Sequence, residues 1–100
     1  MDHTTPEETY VYTIDFRPVK YYRDLYKCVN AGFGLTCMVG ENLDALWDCL
    51  TGFIGWPCEI RLTGLSSLSK QRREELQDIL DVLEEGQQKY PQDIHIVYVD

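Results

Sequence analysis

Three short runs of β-branched and aromatic residues constrain this chain more than any other feature: "TYVYTIDF" (Thr9 to Phe16), "CEIRLTG" (Cys58 to Gly64) and "IHIVYV" (Ile94 to Val99). Each is separated from the next by sequence with helical periodicity. Strands joined through helices cannot close as tight hairpins. The connections must cross over the sheet, which sets the strands parallel and lays the helices against them, with right-handed crossovers expected. The reading is an α/β fold in the order β-α-α-β-α-β: a three-stranded parallel sheet with three or four helices packed mainly on one face. A chain of 100 residues has room for one small core. A single domain is therefore expected over residues 9–100, behind a polar lead over residues 1–8 that contains Pro6 and reads as disordered.

The helical stretches can be placed from their apolar spacing. Pro18 suits the first turn of a helix, and Val19, Tyr22, Leu25, Tyr26 and Val29 follow on one face. "NAGFG", Asn30 to Gly34, ends it. Its glycine pair lacks the third glycine and the following helix of a phosphate loop, so it reads as a cap and turn. "LSSLSKQ" has room for one helical turn. "RREELQDILDVLEEGQQKY" is a long amphipathic helix with Leu76, Ile79, Leu80 and Leu83 inward and Glu74, Asp78, Asp81 and Glu85 outward.

Charge narrows the partners. Seventeen acids against nine Lys and Arg give a net charge of −8. That balance disfavours nucleic acid, whose phosphates are bound by Lys and Arg, and an anionic membrane surface. It suits a cationic partner, although acidity also serves solubility. The acids are unevenly placed: no Lys, Arg or His occurs from Cys28 to Ile60, where Glu41, Asp44, Asp48 and Glu59 lie. No run approaches a membrane span. The N-terminus lacks the basic start and apolar run of a signal peptide, so a cytoplasmic protein is expected. The four cysteines, Cys28, Cys37, Cys49 and Cys58, have no zinc-knuckle spacing and are expected to be reduced and mostly buried. No metal or cofactor is expected. His3 falls in the lead, and His95 in a strand where it reads as structural, so no cysteine has an evident catalytic base.

The functional signal is "GENLDALWDCLTG", Gly40 to Gly52. Asn42 can cap a short helix that Thr51 and Gly52 end. Leu43, Leu46, Trp47 and Leu50 form its apolar seam. Asp44, Asp48 and Thr51 fall within about 60° of one another on another face, at 100° per residue. Asp44 lies in the first turn, where the helix dipole favours an anion. Asp48 lies mid-helix, one turn from a like charge, a pairing that costs about 0.2–0.5 kcal/mol in an isolated helix. Either it is an ordinary solvated acid, or its charge is directed at a partner.

These thirteen residues resemble the second-helix motif of the barstar family, intracellular inhibitors of the bacterial ribonuclease barnase. Element order, length, acidity and the last strand agree with that family as well. The resemblance implies an inhibitor, not an enzyme: a monomer that forms a 1:1 complex with a basic ribonuclease or related nuclease toxin and plugs its active site, as immunity and toxin–antitoxin proteins do. It places the phosphate-mimicking aspartate at Asp48 and the arginine-pairing aspartate at Asp44. Further contacts fall on Asn42, Trp47, Thr51 and Gly52, and on Glu85 of the last helix. Where the family has a tyrosine pair before the glycine, this chain has Met38 and Val39. After Gly52 it has Phe53 in place of tryptophan. The charged anchors are kept while the apolar rim differs, which fits tuning to a different basic nuclease.

Two other readings use the same residues. An acidic adaptor would turn this face to a basic protein that is not a nuclease. A small hydrolase would use Asp44 and Asp48 as an acid–base pair, but such carboxylates flank a scissile bond from opposite sides. Two acids on one exposed helix face make no such cleft.

Overall fold

In the computed structural model, β1 (Tyr10–Asp15), β2 (Cys58–Thr63) and β3 (Ile94–Tyr98) lie side by side in the order β1-β2-β3. Both pairs are parallel: Tyr12 lies opposite Ile60, which lies opposite Ile96. Helices α1 (Tyr22–Phe33), α2 (Leu43–Gly52) and α3 (Lys70–Lys89) supply the connections, and a single 3-10 turn over Leu65–Ser67 precedes α3. The α/β architecture expected from the strand and helix pattern is thus present. The structure describes residues 9–34 and 40–100; the lead over 1–8 and the loop positions Met38 and Val39 lie outside the described residues.

Alternation along the strands decides which face is covered. Ile14, Cys58, Ile60, Leu62 and Ile94 are buried, while Val11, Thr13, Arg61 and His95 are exposed on the opposite face. The helices bury the first set with Leu25, Val29 and Phe33 of α1, Leu46 and Leu50 of α2, and Leu76, Ile79 and Leu83 of α3. His95 is therefore not the structural core histidine expected. Neighbouring Ile94 takes the inward position, and the two-residue period turns His95 outward.

α1 begins four residues after Pro18. The Asp24 carboxylate accepts the backbone N–H groups of Lys20 and Tyr21, each at 2.9 Å. This makes Tyr21 the cap, and Pro18 and Val19 fall in the preceding turn, closed by the Val19 N–H donating to the Phe16 carbonyl. A close approach follows at Gly32. A Cβ there would lie 2.9 Å from the Thr13 carbonyl oxygen and 2.5 Å from Ile14 Cγ1, so α1 can meet β1 only through a residue without a side chain. At the other edge, the Ile96 N–H donates to Gln87 Oε1 of α3 at 2.6 Å.

The cysteines divide. Cys28 and Cys58 are buried free thiols, whereas Cys49, 1% exposed on the inner side of α2, is disulfide-bonded. This corrects the expectation that the cysteines stay reduced. Pairing depends on which cysteines folding brings together, and sequence spacing does not report that. Among the described residues no group of His, Cys, Asp and Glu is arranged to hold a metal, and no helix is long and apolar enough to cross a membrane.

Candidate partner-binding face

α2 forms where its sequence provides a start, a buried seam and a stop. Asn42 is extended, and its Oδ1 accepts the N–H groups of Asp44 at 2.8 Å and Ala45 at 3.2 Å. Two donors that the first turn would otherwise leave unpaired are thereby satisfied. Leu46, Cys49 and Leu50 are buried at 1% exposure or less. At the far end Phe53 closes the helix, its N–H donating to the Cys49 carbonyl at 3.1 Å.

The helix is held by contacts that local sequence does not announce. Gly86 of α3 lies against Leu50, where a Cβ would come within 2.4 Å of Leu50 Cδ2, so the two helices approach closely at that point. The Trp56 indole N–H donates to the Leu50 carbonyl at 3.1 Å, and its ring lies 4.8 Å from that of Tyr90. The peptide between Trp56 and Pro57 is cis, and the Gly55 N–H donates to the Tyr12 hydroxyl at 2.9 Å. These contacts fasten the segment after α2 to the sheet and to the end of α3. Trp56 is a packing residue, as its place before a strand suggested.

With the seam inward, Asp44 and Asp48 are both exposed, as are Asn42, Gly52 and Phe53; Phe53 is 63% exposed. Trp47 and Thr51 are half-buried, with the Thr51 hydroxyl donating to the Trp47 carbonyl at 2.8 Å. Glu85 is exposed on α3, next to the Gly86 contact with Leu50. Asn42, Asp44, Trp47, Asp48, Thr51, Gly52 and Phe53 thus lie on α2 and its ends, and Glu85 on α3, which packs against α2.

Some other acids are matched internally. Asp15 pairs with Arg17 at 2.7 Å, Glu59 with Arg61 and Glu75 with Arg72, while Glu84 accepts from the Tyr98 hydroxyl. The Arg17 guanidinium holds the Asp15 carboxyl below its ordinary value. Backbone N–H donors from Tyr21 and Lys20 do the same for Asp24. Among the described residues, by contrast, the side chains of Asp44, Asp48 and Glu85 have no ion pair and no hydrogen bond. α2 therefore presents solvent-facing carboxylates that make no ion pair among the described residues.

One member of this face has no sequence signal. Lys89, in the last turn of α3, places Nζ 5.7 Å from the centroids of both the Trp47 and Tyr90 rings. A cation at a helix C-terminus is ordinary. That it reaches a ring on α2 depends on how the two helices pack.

Residues 9–99 match the family model described as "Barstar (barnase inhibitor)". A Bacillus subtilis (strain 168) protein named "Putative ribonuclease inhibitor YrdF" is 34% identical over 58 residues, which cover 58% of this chain and 64% of that protein. The aligned part is thus just under two thirds of that relative's own length.

Proposed function

Because this chain belongs to the barstar family, we propose that it is a ribonuclease inhibitor, without catalytic activity of its own, that sets α2 against the active site of a basic bacterial ribonuclease in a 1:1 complex. The observation that carries this reading is the pair Asp44 and Asp48: exposed, without an ion pair among the described residues, and held on a capped helix. A ribonuclease holds its substrate phosphate with cationic side chains. A carboxylate offered in the same place accepts their charge-assisted hydrogen bonds, and a rigid helix loses little freedom in offering it. Asp48 takes the phosphate's position. Asp44 meets a neighbouring arginine, and Glu85 extends the negative field. Trp47, Thr51, Gly52, Asn42 and Phe53 border the contact, with Met38 and Val39 expected from the loop before α2. The family and the acidic face also fit an immunity role inside the cytoplasm of the producing cell.

Asp48→Ala decides the reading. Two charge-assisted hydrogen bonds, at about 1.5–3 kcal/mol each, correspond to at least a hundredfold loss of inhibition at about 1.4 kcal/mol per tenfold. The thermal melt should stay where it is, or rise slightly as repulsion from Asp44 is relieved. Both are measured beside wild type, with barnase and other basic bacterial ribonucleases as targets. Undiminished inhibition by the variant would refute phosphate mimicry. Failure of wild type against every ribonuclease would leave the adaptor reading in its place.

A further inference from the structure

We infer that Lys89 is a specificity-determining residue of the inhibitory face, and that the ribonuclease it suits presents a carboxylate opposite the Trp47 ring, beside the cations that meet Asp44 and Asp48. This rests on the inhibitory reading of α2 and names a further property of the partner.

The placement of one cation among acids carries the inference. No Lys, Arg or His occurs between Cys28 and Ile60, so the α2 segment is purely acidic in sequence. Packing of α3 against α2 at Gly86 and Leu50 nevertheless brings the Lys89 ammonium to 5.7 Å from the Trp47 centroid. By the helical angle, Trp47 is about 60° from Asp44 and about 40° from Thr51, so the ammonium borders the acidic stripe. Among the described residues Lys89 has no carboxylate partner. The Trp47 and Tyr90 rings hold it instead, an attraction of the cation–π kind.

For a face meant only to attract cations, this charge is a liability. It lowers the local negative field and repels any cation that arrives at that point. Once a partner seats, the ammonium is shielded from water, and an ammonium carries three donors and no acceptor. A shielded charge without a partner is costly. A carboxylate on the ribonuclease removes that cost. A ribonuclease with a cation at the same point is rejected, and discrimination of this kind needs a repulsive element as well as attractive ones.

The charge requirement separates this role from packing. Lys89→Arg keeps charge and ring contact, Lys89→Met keeps only the apolar cover, and Lys89→Glu reverses the charge. Lys70→Glu is the control. It adds the same negative charge at the other end of α3, about 28 Å away at 1.5 Å per residue. The probe is whichever of barnase and other basic bacterial ribonucleases wild type inhibits, and dissociation constants and association rates are measured for all four variants and wild type.

Steering alone predicts that both Glu variants bind a basic protein faster. The inference predicts the opposite at Lys89: at least about tenfold weaker binding for Lys89→Glu, a clear loss for Lys89→Met, near-wild-type binding for Lys89→Arg, and unchanged or faster association for Lys70→Glu. Strengthened binding by Lys89→Glu, or equal behaviour of the two Glu variants, overturns it. So does full retention by Lys89→Met, which would make the lysine mere cover for the indole. The reading beneath is tested in parallel. If Asp48→Ala loses binding while the Lys89 variants do not, this inference alone fails; if wild type binds neither barnase nor any other basic bacterial ribonuclease, both fall.

Discussion

Cys58 illustrates how placement governs the chemistry of a side chain. It opens β2 at 0% exposure, and burial pushes its thiol from an ordinary 9.0 up to about 11. Cys28, on the inner side of α1, is raised for the same reason. Only the thiolate is a good nucleophile, so neither group should react with a disulfide reagent such as DTNB at pH 8 in the folded protein, while both react at once in denaturant. Rapid labelling without denaturant would contradict the packing of both residues. The same shift acts on stability. The fold favours the protonated thiol, so the Cys58 contribution is intact below pH 9.0 and declines as pH rises towards about 11. Asp44 and Asp48 are legible from sequence alone, because helical spacing and a local cap fix the direction they face. Lys89 is not, since its meaning depends on Trp47, more than forty positions earlier in the chain. His95 misleads because Ile94 and Ile96 beside it make the whole strand look buried.

The elements differ in how far local chemistry defines them. α2 has an N-cap in Asn42 and a regular seam, and its observed span, Leu43–Gly52, is the one its sequence predicts. Removing the cap should therefore act on this helix first. Asn42→Ala frees the N–H groups of Asp44 and Ala45, at a cost of about 0.5–2 kcal/mol. For a chain of this size each 1 kcal/mol lowers the melting temperature by about 4–8 °C, which calorimetry resolves. An unchanged melt would mean that water replaces the cap without cost. α1 is less legible. Its start depends on the Asp24 carboxylate reaching back to Lys20 and Tyr21, whereas Pro18 advertises an earlier one. α3 begins at Lys70 because the Ser69 hydroxyl accepts the Arg72 N–H at 3.2 Å. That cap precedes the first strongly periodic residue and extends the helix beyond its apolar stripe.

At the scale of the molecule, the order of elements determines which acids are gathered. β1, β2 and β3 are neighbours in chain order, so α2 and α3 lie on successive crossovers and pack together, with Glu85 on the helix that packs against α2. The proposed attraction for a basic enzyme is a property of this assembled field, and salt should weaken it. The screening length shortens from about 10 Å at 0.1 M to about 3 Å at 1 M. Association with a basic ribonuclease should accordingly slow steeply as salt rises, with a smaller change in dissociation, measured by stopped flow. A salt-independent association rate would argue against long-range attraction.

The sheet's two margins have a further consequence. At one, the Thr13 carbonyl faces Gly32 of α1 at a distance that leaves no room for a side chain; at the other, Gln87 of α3 answers the N–H of Ile96. The middle of neither outer strand offers an open ladder of backbone donors and acceptors on which another chain could crystallise as a fourth strand. Whatever joins this protein there must do so by the fit and charge of side chains.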